Sequence, residues 1–380
     1  MDPFVLELYF AQHEFTARHL LCCSDTESLS MAELLSLADK ECLELWQGLR
    51  LGYTEASGHP SLREEIAKTF YSPIHFSCVR TFAGAEEAIY AFIRATISQG
   101  DEVVVFTPAY QSLLSIPKAC GANVIALDLE QQGGVWRFPL AKLKEVMSNK
   151  TRLLVLNTPH NPTGAMLTPA EQEEVISICR NFGVLLLADE VYREQELDGC
   201  PTLPPAATLY ENAFSLGVMS KSLGLAGLRI GWLCSQNTEL LDAVSAYKHY
   251  LSICNSAPSE ILALIALRNK HVLLSRNRQI TQDNLVIIQG FLARHEGKFE
   301  WSAPRGGCVG FMKFCSMSND GVTLEDLADR LVNEFGVLLL PGRNFPGAQG
   351  DFSSYFRFGF GRKNFPQALA ALEVALSTVL

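Results

Sequence analysis

The chain has 380 residues, of which 48% are hydrophobic and 19% are charged. This composition supplies a large apolar core and excludes a disordered chain, which would be poor in aliphatic residues and rich in charge. The 31 basic residues against 41 acidic ones leave a net charge of −10, which argues against a nucleic-acid-binding protein but not against a local positive pocket for a small anion.

The middle of the chain alternates short apolar runs with amphipathic stretches. Residues 86–97 are predicted to form a helix, because their apolar side chains recur at the spacing of one helix face. The next predicted elements are strands over 102–106, 123–127, 152–156 and 184–188, with helices over 140–147 and 168–182. The helix over 168–182 has standard start signals, with Thr168 as N-cap, Pro169 at the first position and Glu171 in the first turn.

Strands of continuous aliphatic residues that alternate with helices are typical of a mostly parallel sheet with both faces covered. The sequence therefore predicts an α/β fold. Ligands of such sheets bind at the carboxyl ends of the strands, so the polar residues that directly follow the apolar runs are the candidate site.

A different pattern begins at about residue 237. Residues 237–295 are predicted to be mainly helical, and the rest has an α+β pattern, with strands around 308–314 and 355–360 and helices over 324–335 and 365–380. We predict a large domain over 46–250 and a smaller α+β domain formed by 1–45 and 251–380.

Eleven cysteines are scattered along the chain without any CxxC spacing. This usage is typical of reduced thiols in a cytosol, and we expect the cysteines to be buried small apolar side chains and not metal ligands. The first residues lack the pattern of a secretory signal, and no apolar stretch is long enough to span a bilayer. We therefore expect a soluble, cytoplasmic protein that binds no metal, membrane or nucleic acid.

Four short segments combine small, polar and charged residues. The segments NTPHNPTG (157–164) and DEVY (189–192) directly follow the predicted strands 152–156 and 184–188. The segment SKSLGLAGLRIG (220–231) contains Lys221 in a glycine-bearing loop, and GAEEA (84–88) stands at a helix start. A nucleotide-binding P-loop is excluded around Lys221, because the two required glycines are serines here.

These residue types suit one kind of cofactor. A desolvated lysine can form a Schiff base, and an Asp at the end of an aliphatic strand is costly to bury unless it meets a cation such as a protonated pyridine. An Asn and a Tyr can hydrogen-bond a phenolate oxygen, and a helix N-terminus with an arginine makes a phosphate site. Together they supply the groups needed to hold pyridoxal phosphate (PLP).

The segments GYTEASGHPSLREEIA, NTPHNPTG, DEVY and SKSLGLAGLRIG resemble, in this order, the fold-type I PLP-dependent enzymes of the class I/II aminotransferase family. The resemblance extends from about Tyr53 to Arg357. It implies the PLP-transferase fold type I, in which a large domain with a mostly parallel central sheet flanked by helices is joined to a smaller α+β domain.

The resemblance implies a role for each residue around the ring of PLP. Lys221 would form the Schiff base and move the substrate proton. Asp189 would keep the pyridine nitrogen protonated, Tyr192 and Asn161 would hydrogen-bond the 3′ oxygen, and Tyr110 would stack on the ring.

The phosphate of PLP would be held by Arg229, by Ser220 and by backbone N–H groups of Gly84 and Ala85, with Glu86 in the same helix start. Two positions depart from the pattern of the family. Val218 and Ala85 stand where many members have hydroxyl residues, so backbone donors or Ser222 are the expected substitutes.

Two further residues extend the resemblance beyond the cofactor. Tyr53 resembles the residue that reaches the phosphate of a neighbouring subunit, which implies a homodimer with shared active sites. Arg357 resembles the arginine that binds the substrate carboxylate as a bidentate fork, with Arg362 as the competing residue. Arg343 follows Pro341-Gly342 in an altered segment and would either face the substrate or lie on the surface.

Other polar residues near these motifs are expected to be structural. Asn157 is expected to stabilise its own turn, with contact to the substrate as the alternative, and His160 is expected to be structural. Lys248 and Asn255, in the segment YKHYLSICNSAPSE, are expected on a helix surface, with a position at the border of the site as the alternative.

The sequence thus predicts a PLP-dependent aminotransferase that moves an amino group between an α-amino acid and a 2-keto acid through a Lys221 Schiff base. An alternative is PLP-dependent elimination, replacement or cyclisation of a modified amino acid in biosynthesis, and the segment 22–39 is similar to some such enzymes. A remote alternative is the PLP-binding domain of a transcription regulator, which would carry an added DNA-binding domain. The motifs do not identify the amino acid.

Overall fold

Helices and strands alternate through most of the chain in a computed structural model that describes residues 1–197, 199–315, 323–347 and 349–379. The described residues form the helices α1 Val5–His13, α2 Met31–Leu35, α3 Lys40–Gln47, α4 Pro60–Phe70, α5 Ala85–Thr96, α6 Ser112–Ala119, α7 Leu140–Val146, α8 Pro169–Phe182, α9 Ala206–Leu209, α10 Thr238–Lys248, α11 Ala257–Arg268, α12 Lys270–Arg294, α13 Leu324–Arg330 and α14 Phe365–Val379. Leu380, the predicted end of the last helix, lies outside the described residues.

The strands of the same residues are β1 His19–Leu20, β2 Val79–Phe82, β3 Glu102–Thr107, β4 Asn123–Asp128, β5 Glu130–Gln132, β6 Val135–Arg137, β7 Thr151–Asn157, β8 Leu185–Asp189, β9 Ala213–Val218, β10 Gly231–Cys234, β11 Phe299–Trp301, β12 Val309–Phe314, β13 Val337–Leu338, β14 Leu340–Pro341 and β15 Tyr355–Gly359.

Seven strands form the central sheet in the order β2-β10-β9-β8-β7-β3-β4. β10 runs antiparallel to both of its neighbours, and the remaining pairs are parallel. The predicted fold is therefore confirmed as a mostly parallel sheet. In its register Asn157 lies opposite Asp189, so the polar residues that end β7 and β8 stand side by side at one edge.

Both faces of this sheet are buried, which explains its continuous aliphatic strands. Along β7, Leu154 and Leu156 pack into one apolar cluster, whereas Leu153 and Val155 pack into a second cluster on the opposite face. All four side chains are at most 3% exposed. Alternate residues of one strand thus contribute to two cores.

The helix α8 begins and ends as its sequence predicts. The side chain of Thr168 accepts a hydrogen bond from the Glu171 N–H, and the Glu171 carboxylate accepts one from the Thr168 N–H, which makes a capping box. Pro169 occupies the first turn, and Gly183 ends the helix in the left-handed conformation, with φ of 66°. The next strand, β8, therefore starts at a defined point and delivers Asp189 to the sheet edge.

A second sheet has the antiparallel order β11-β12-β15-β14 and contains Arg357 on β15. The predicted strands around 308–314 and 355–360 are confirmed, as is the mainly helical stretch over 237–295. Near the amino end, β1 pairs in parallel with β13. The division into domains at residues 46 and 250 stays a prediction.

The cysteines are only partly as expected. All eleven are free thiols, and six of them are buried, but four are intermediate in exposure and Cys315 is exposed. Short loops and helix ends, rather than the core, hold the less buried ones. No helix in the described ranges is both long enough and apolar enough to cross a lipid bilayer.

Candidate active site

A cavity of about 380 Å³ opens where the carboxyl ends of the central strands meet residues of the second sheet and of the N-terminal segment. It brings together most of the residues that the sequence singles out: Ala85, Glu86, Tyr110, Asn161, Asp189, Tyr192, Ser220, Lys221, Arg229 and Arg357. Gly84 stands directly behind this lining, and Tyr53 does not border the cavity.

The predicted phosphate site lies at the turn between β2 and α5. Gly84 is the N-cap of α5 and has a φ of 87°, which favours glycine. A Cβ at this position would lie 2.5 Å from the Arg229 guanidinium nitrogen Nη2, so a side chain here would displace the arginine. Arg229 itself has a left-handed backbone, with φ of 53°. A helix N-terminus and a cation thus converge on one point, as a phosphate requires.

Asp189 is the predicted partner of the pyridine nitrogen. Its side chain is 7% exposed and lines the cavity, and no Lys, Arg or His of the described chain pairs with it. Its carboxylate accepts a hydrogen bond from the Val191 N–H at 3.2 Å. Burial raises the pKa of Asp189 to about 7, although the Val191 N–H and the charge of Lys221 oppose this. A buried carboxylate without a cation suits a ligand that supplies one.

The turn after β7 is held by Asn157, as expected. Its side-chain amide donates to the Asp189 carbonyl at 3.0 Å, and its oxygen accepts from the Asn161 N–H at 2.7 Å. His160 is structural, because it is 1% exposed and its Nδ1 lies 2.9 Å from the Thr163 hydroxyl. Burial lowers the pKa of His160 to about 3, so this ring is neutral.

Lys221 lies inside the cavity, and its Nζ donates a hydrogen bond to the Ser24 hydroxyl at 2.8 Å. Its Nζ is 6.0 Å from the centre of the Tyr192 ring. Burial, followed by the positive charge of Arg357, lowers the pKa of Lys221. A lysine with a lowered pKa has a larger neutral fraction, and only the neutral amine is a nucleophile or a base.

Tyr192 is 1% exposed, and its hydroxyl donates to the Ser24 carbonyl at 3.0 Å. Burial raises its pKa, so the phenol stays protonated and can donate. Asn161 accepts a hydrogen bond from Arg357 Nη1 at 3.2 Å through its oxygen. The Asn161 amide nitrogen is left for an acceptor in the cavity, which is compatible with its predicted role at the 3′ oxygen, whereas the Tyr192 hydroxyl gives its one proton to the Ser24 carbonyl.

The structure distinguishes the two arginines that compete for the substrate carboxylate. Arg362 donates through Nε and Nη2 to the two carboxylate oxygens of Asp25, at 3.0 and 2.8 Å. Arg357 is 1% exposed and donates to the Cys22 carbonyl and to Asn161, which are neutral groups. Arg357 is therefore a buried cation without a carboxylate partner among the described residues, and it stays the predicted carboxylate ligand.

Several details of the sequence analysis need correction. Lys248 and Asn255 are not on a helix surface: they are 1% and 5% exposed. Lys248 Nζ donates to the carbonyls of Ala56 and Thr81, and Asn255 donates to the Thr81 hydroxyl at 2.7 Å. Their partners lie far away in the sequence, so the local pattern could not reveal their burial.

The structure also shows where Ser222 and Arg343 lie. Ser222 does not replace the missing hydroxyls at the phosphate end, because its own hydroxyl donates toward the carbonyls of Val191 and Arg193. Arg343 is exposed and does not border the cavity, so it is a surface residue. Val218 does border it.

The N-terminal segment also lines the cavity, a contribution that the sequence patterns do not predict. Ser24 touches Lys221, and Leu6, Glu7, Phe10 and Glu14 line the cavity along one face of α1 and its end. The spacing of the α1 residues is visible in the sequence as a helical stripe, but a stripe alone does not say what it faces. The Tyr110 hydroxyl donates to Glu7 at 2.9 Å, which connects α1 to the ring predicted to stack on PLP.

These residues fit PLP on structural grounds. The cradle at Gly84 would be filled by a Cβ, Arg229 stands beside it, and Asp189, which has no cation partner in the described chain, lies where a pyridinium would find its counter-ion. A fold with a mostly parallel sheet and this site defines a PLP-dependent enzyme of fold type I. The chain belongs to the aminotransferase class I and II family, whose family model matches residues 26–371.

Individual relatives carry two kinds of name. Capreomycidine synthase of Streptomyces vinaceus is 31% identical over 381 residues, which cover 98% of this chain and 93% of the relative. Arginine–pyruvate transaminase AruH of Pseudomonas aeruginosa is 28% identical, and the alignment covers 85% of this chain and 81% of the relative.

The solved structures show the same division. A PLP-dependent aminotransferase from Streptococcus suis has a TM-score of 0.89 and 27% identity, with 99% of this chain and 97% of that chain covered. The PLP-dependent cyclase OrfR also has a TM-score of 0.89 and 26% identity, and the superposition covers 100% of this chain and 97% of that chain. The protein is thus similar over its whole length to transaminases and to cyclases, and its cofactor is pyridoxal phosphate.

Proposed function

We propose that the protein is an aminotransferase that moves the amino group of an α-amino acid to a 2-keto acid. The observation that supports this best is the shared cavity of Lys221, Asp189 and Arg357, where the buried carboxylate and the buried guanidinium both act on the pKa of the lysine. PLP, when bound, supplies a protonated pyridine that accepts the electron pair left at Cα after deprotonation.

The residues of this chain then have separate tasks. Arg357 binds the substrate carboxylate as a fork, which orients the amino acid by two parallel hydrogen bonds. Lys221, whose pKa burial lowers, takes the Cα proton and would deliver it to the C4′ carbon of PLP. Asp189 stays ionised against the pyridinium, and Tyr192 holds its own proton as a donor.

A single-turnover experiment tests this reaction. The holoenzyme is mixed with each of a panel of α-amino acids, and the 2-keto acid and the aminated cofactor are measured. We expect stoichiometric formation of both with at least one amino acid. The Lys221→Ala variant should be slower by about a hundred- to ten-thousandfold, because the proton-transfer group is lost. Lys118→Ala, at an exposed position on α6, is the matched control.

A second candidate is cyclisation, which the similarity to capreomycidine synthase over 98% of the chain and to the cyclase OrfR favours. In that reaction a leaving group departs from the substrate β-carbon with its electron pair, and a nitrogen of the same substrate forms a new bond there and loses its proton. The cofactor is unchanged at the end. Consumption of an amino acid without any aminated cofactor would support cyclisation and contradict transamination.

A further inference from the structure

One face of α1 and its C-terminal end line the cavity and bring carboxylates to it. Leu6, Glu7, Phe10 and Glu14 all border the cavity, and Glu7, Phe10 and Glu14 follow one another at three to four residues, so these three share a face. Phe10 stands between the two glutamates. Its ring centre is 5.8 Å from the guanidinium carbon of Arg357, so this face lies directly beside the proposed carboxylate ligand.

The three arginines of the cavity have other anions as partners or predicted partners. Arg362 is held by Asp25, at 2.8 and 3.0 Å, Arg229 stands at the phosphate site, and Arg357 awaits a substrate carboxylate. Within the described ranges neither Glu7 nor Glu14 forms an ion pair with a Lys, Arg or His. Glu7 accepts a single hydrogen bond, from the Tyr110 hydroxyl, and the Glu14 carboxylate accepts none from these residues.

The cavity is a ligand site on independent grounds, because Asp189, which is 7% exposed and lacks a cation partner in the described chain, points into it. A substrate that fills this cavity removes water from the carboxylates of α1. Burial already raises the pKa of Glu14. A neutral side chain would leave both glutamates desolvated without a cation, and an acidic one would also be repelled.

We infer that Glu7 and Glu14 bind a cationic side chain of the amino-acid substrate, a guanidinium or an ammonium group at the end of a long aliphatic chain. This inference rests on the proposed function, since that function places the substrate carboxylate at Arg357. The aliphatic part of the substrate packs on Phe10, and Glu7 and Glu14 stand about one helix turn to either side of that ring. Both carboxylates then receive charge-assisted hydrogen bonds from the terminal group.

Ligands without an α-amino group test this binding apart from any chemistry. The three probes are 5-guanidinopentanoate, 6-aminohexanoate and hexanoate, which share a carboxylate and a similar chain length but differ in the terminal group. Their dissociation constants for the holoenzyme are measured by titration calorimetry. We expect at least one cationic probe to bind about ten- to a hundredfold more tightly than hexanoate. The tighter of the two cations identifies a guanidinium or an ammonium site.

The variants Glu7→Gln, Glu14→Gln and the double variant assign the effect to residues. Each should reduce the advantage of the cationic probe over hexanoate, with the double variant close to parity. Glutamine keeps an oxygen for the Tyr110 hydroxyl, so the fold of α1 is retained, and cofactor content checks this. Glu173→Gln is the matched control, because Glu173 is exposed on α8 and does not border the cavity.

Two results would overturn the inference: equal affinity of hexanoate and the cationic probes for the wild-type protein, or an undiminished preference in the double variant. Failure to bind any probe counts against it as well. The proposed function fails separately, when no amino acid is turned over by a holoenzyme that still prefers the cationic probes. Turnover of neutral amino acids without that preference would contradict only the cation site.

Discussion

At the scale of single residues, two carboxyl groups of the cavity are held in an unfavourable state until a ligand arrives. Burial raises the pKa of Asp189 and that of Glu86 to about 7, and each is well above the ordinary value for its residue type. The positive charge of Lys221 lowers the pKa of Asp189, whereas the negative charge of Glu7 raises the pKa of Glu86. Ionising these buried carboxyl groups therefore costs free energy, and a bound pyridinium would offset this cost at Asp189.

This cost predicts how the stability of the cofactor-free protein depends on pH. Between the ordinary pKa of an aspartate and about 7, the folded protein keeps a proton on Asp189 that the unfolded chain has released. Stability therefore falls as the pH rises through this range. Without cofactor, we expect the free energy of unfolding of Asp189→Asn, relative to that of wild type, to increase by about 2–3 kcal/mol when the pH is raised from about 5 to about 8. Urea unfolding at both pH values measures it, and a difference independent of pH would contradict the assignment.

The same substitution should act in the opposite direction once PLP is present. A neutral amide at this position cannot offset the charge of a protonated pyridine, so Asp189→Asn should weaken PLP binding by about 30-fold or more, as expected for the loss of one member of a buried charge pair. Fluorescence titration of the cofactor-free protein measures this affinity. Asp242→Asn, at an exposed position whose side chain pairs with Arg80, is the control and should bind PLP as wild type does. Equal affinities in all three proteins would show that Asp189 does not face the ring nitrogen.

How far the sequence predicts these residues depends on how local their environment is. Asp189 stands at the end of an aliphatic strand, and Lys221 lies in a loop with a recognisable sequence pattern. Their positions in the cavity are therefore predictable. Ser24 is not, because its hydrogen bond to Lys221 joins residues 197 positions apart. Lys248 was wrongly expected at the surface for the same reason, since its acceptors Ala56 and Thr81 lie 192 and 167 positions away.

At the scale of elements, the β7 and β8 strands and the helix α8 follow directly from apolar periodicity and capping residues. The placement of α1 does not, because its hydrogen-bond partners, such as Leu339 and Tyr110, lie far away in the sequence. The Tyr9 hydroxyl of α1 donates to the Leu339 carbonyl at 2.9 Å, and the ring is 8% exposed. Leu6, on the same helix, is 2% exposed in the core. These contacts orient the face that carries Glu7 and Glu14.

The Tyr9 contact predicts a variant that loosens α1 without touching the cofactor. Tyr9→Phe leaves the buried Leu339 carbonyl without its donor, which should cost about 1–3 kcal/mol of stability. Because Phe10 of α1 lies 5.8 Å from the guanidinium of Arg357, the predicted carboxylate ligand, we expect a higher KM for the amino acid at unchanged PLP affinity. Thermal unfolding and steady-state kinetics measure the two effects. Phe15→Ala, at a residue that is 91% exposed just beyond α1, is the control. Loss of PLP binding in Tyr9→Phe would contradict this division of roles.

At the scale of the whole molecule, one surface of the chain exposes large apolar side chains. Leu51 and Tyr53 are both 88% exposed, and Tyr250 is 91% exposed. The Thr54 hydroxyl donates to the Asn255 carbonyl at 3.2 Å, so the segments that contain these residues lie side by side. An exposed apolar patch of this kind is typical of an interface between protein chains. It agrees with the prediction that Tyr53 serves the site of a second copy.

A mixing experiment tests whether Tyr53 acts across such an interface. Tyr53→Ala lacks the residue that would reach the partner's phosphate, and Lys221→Ala lacks the lysine, so each variant alone should have low activity at limiting PLP.

If Tyr53 acts in the other subunit, a mixed dimer contains one site with both defects and one intact site. Random mixing of equal amounts, after unfolding and refolding together, should then restore about a quarter of the wild-type sites. If Tyr53 acts within its own subunit, every site of a mixed dimer keeps one defect and no activity returns. Mixing Tyr53→Ala with itself is the control, and titration with PLP shows whether the restored sites have wild-type affinity.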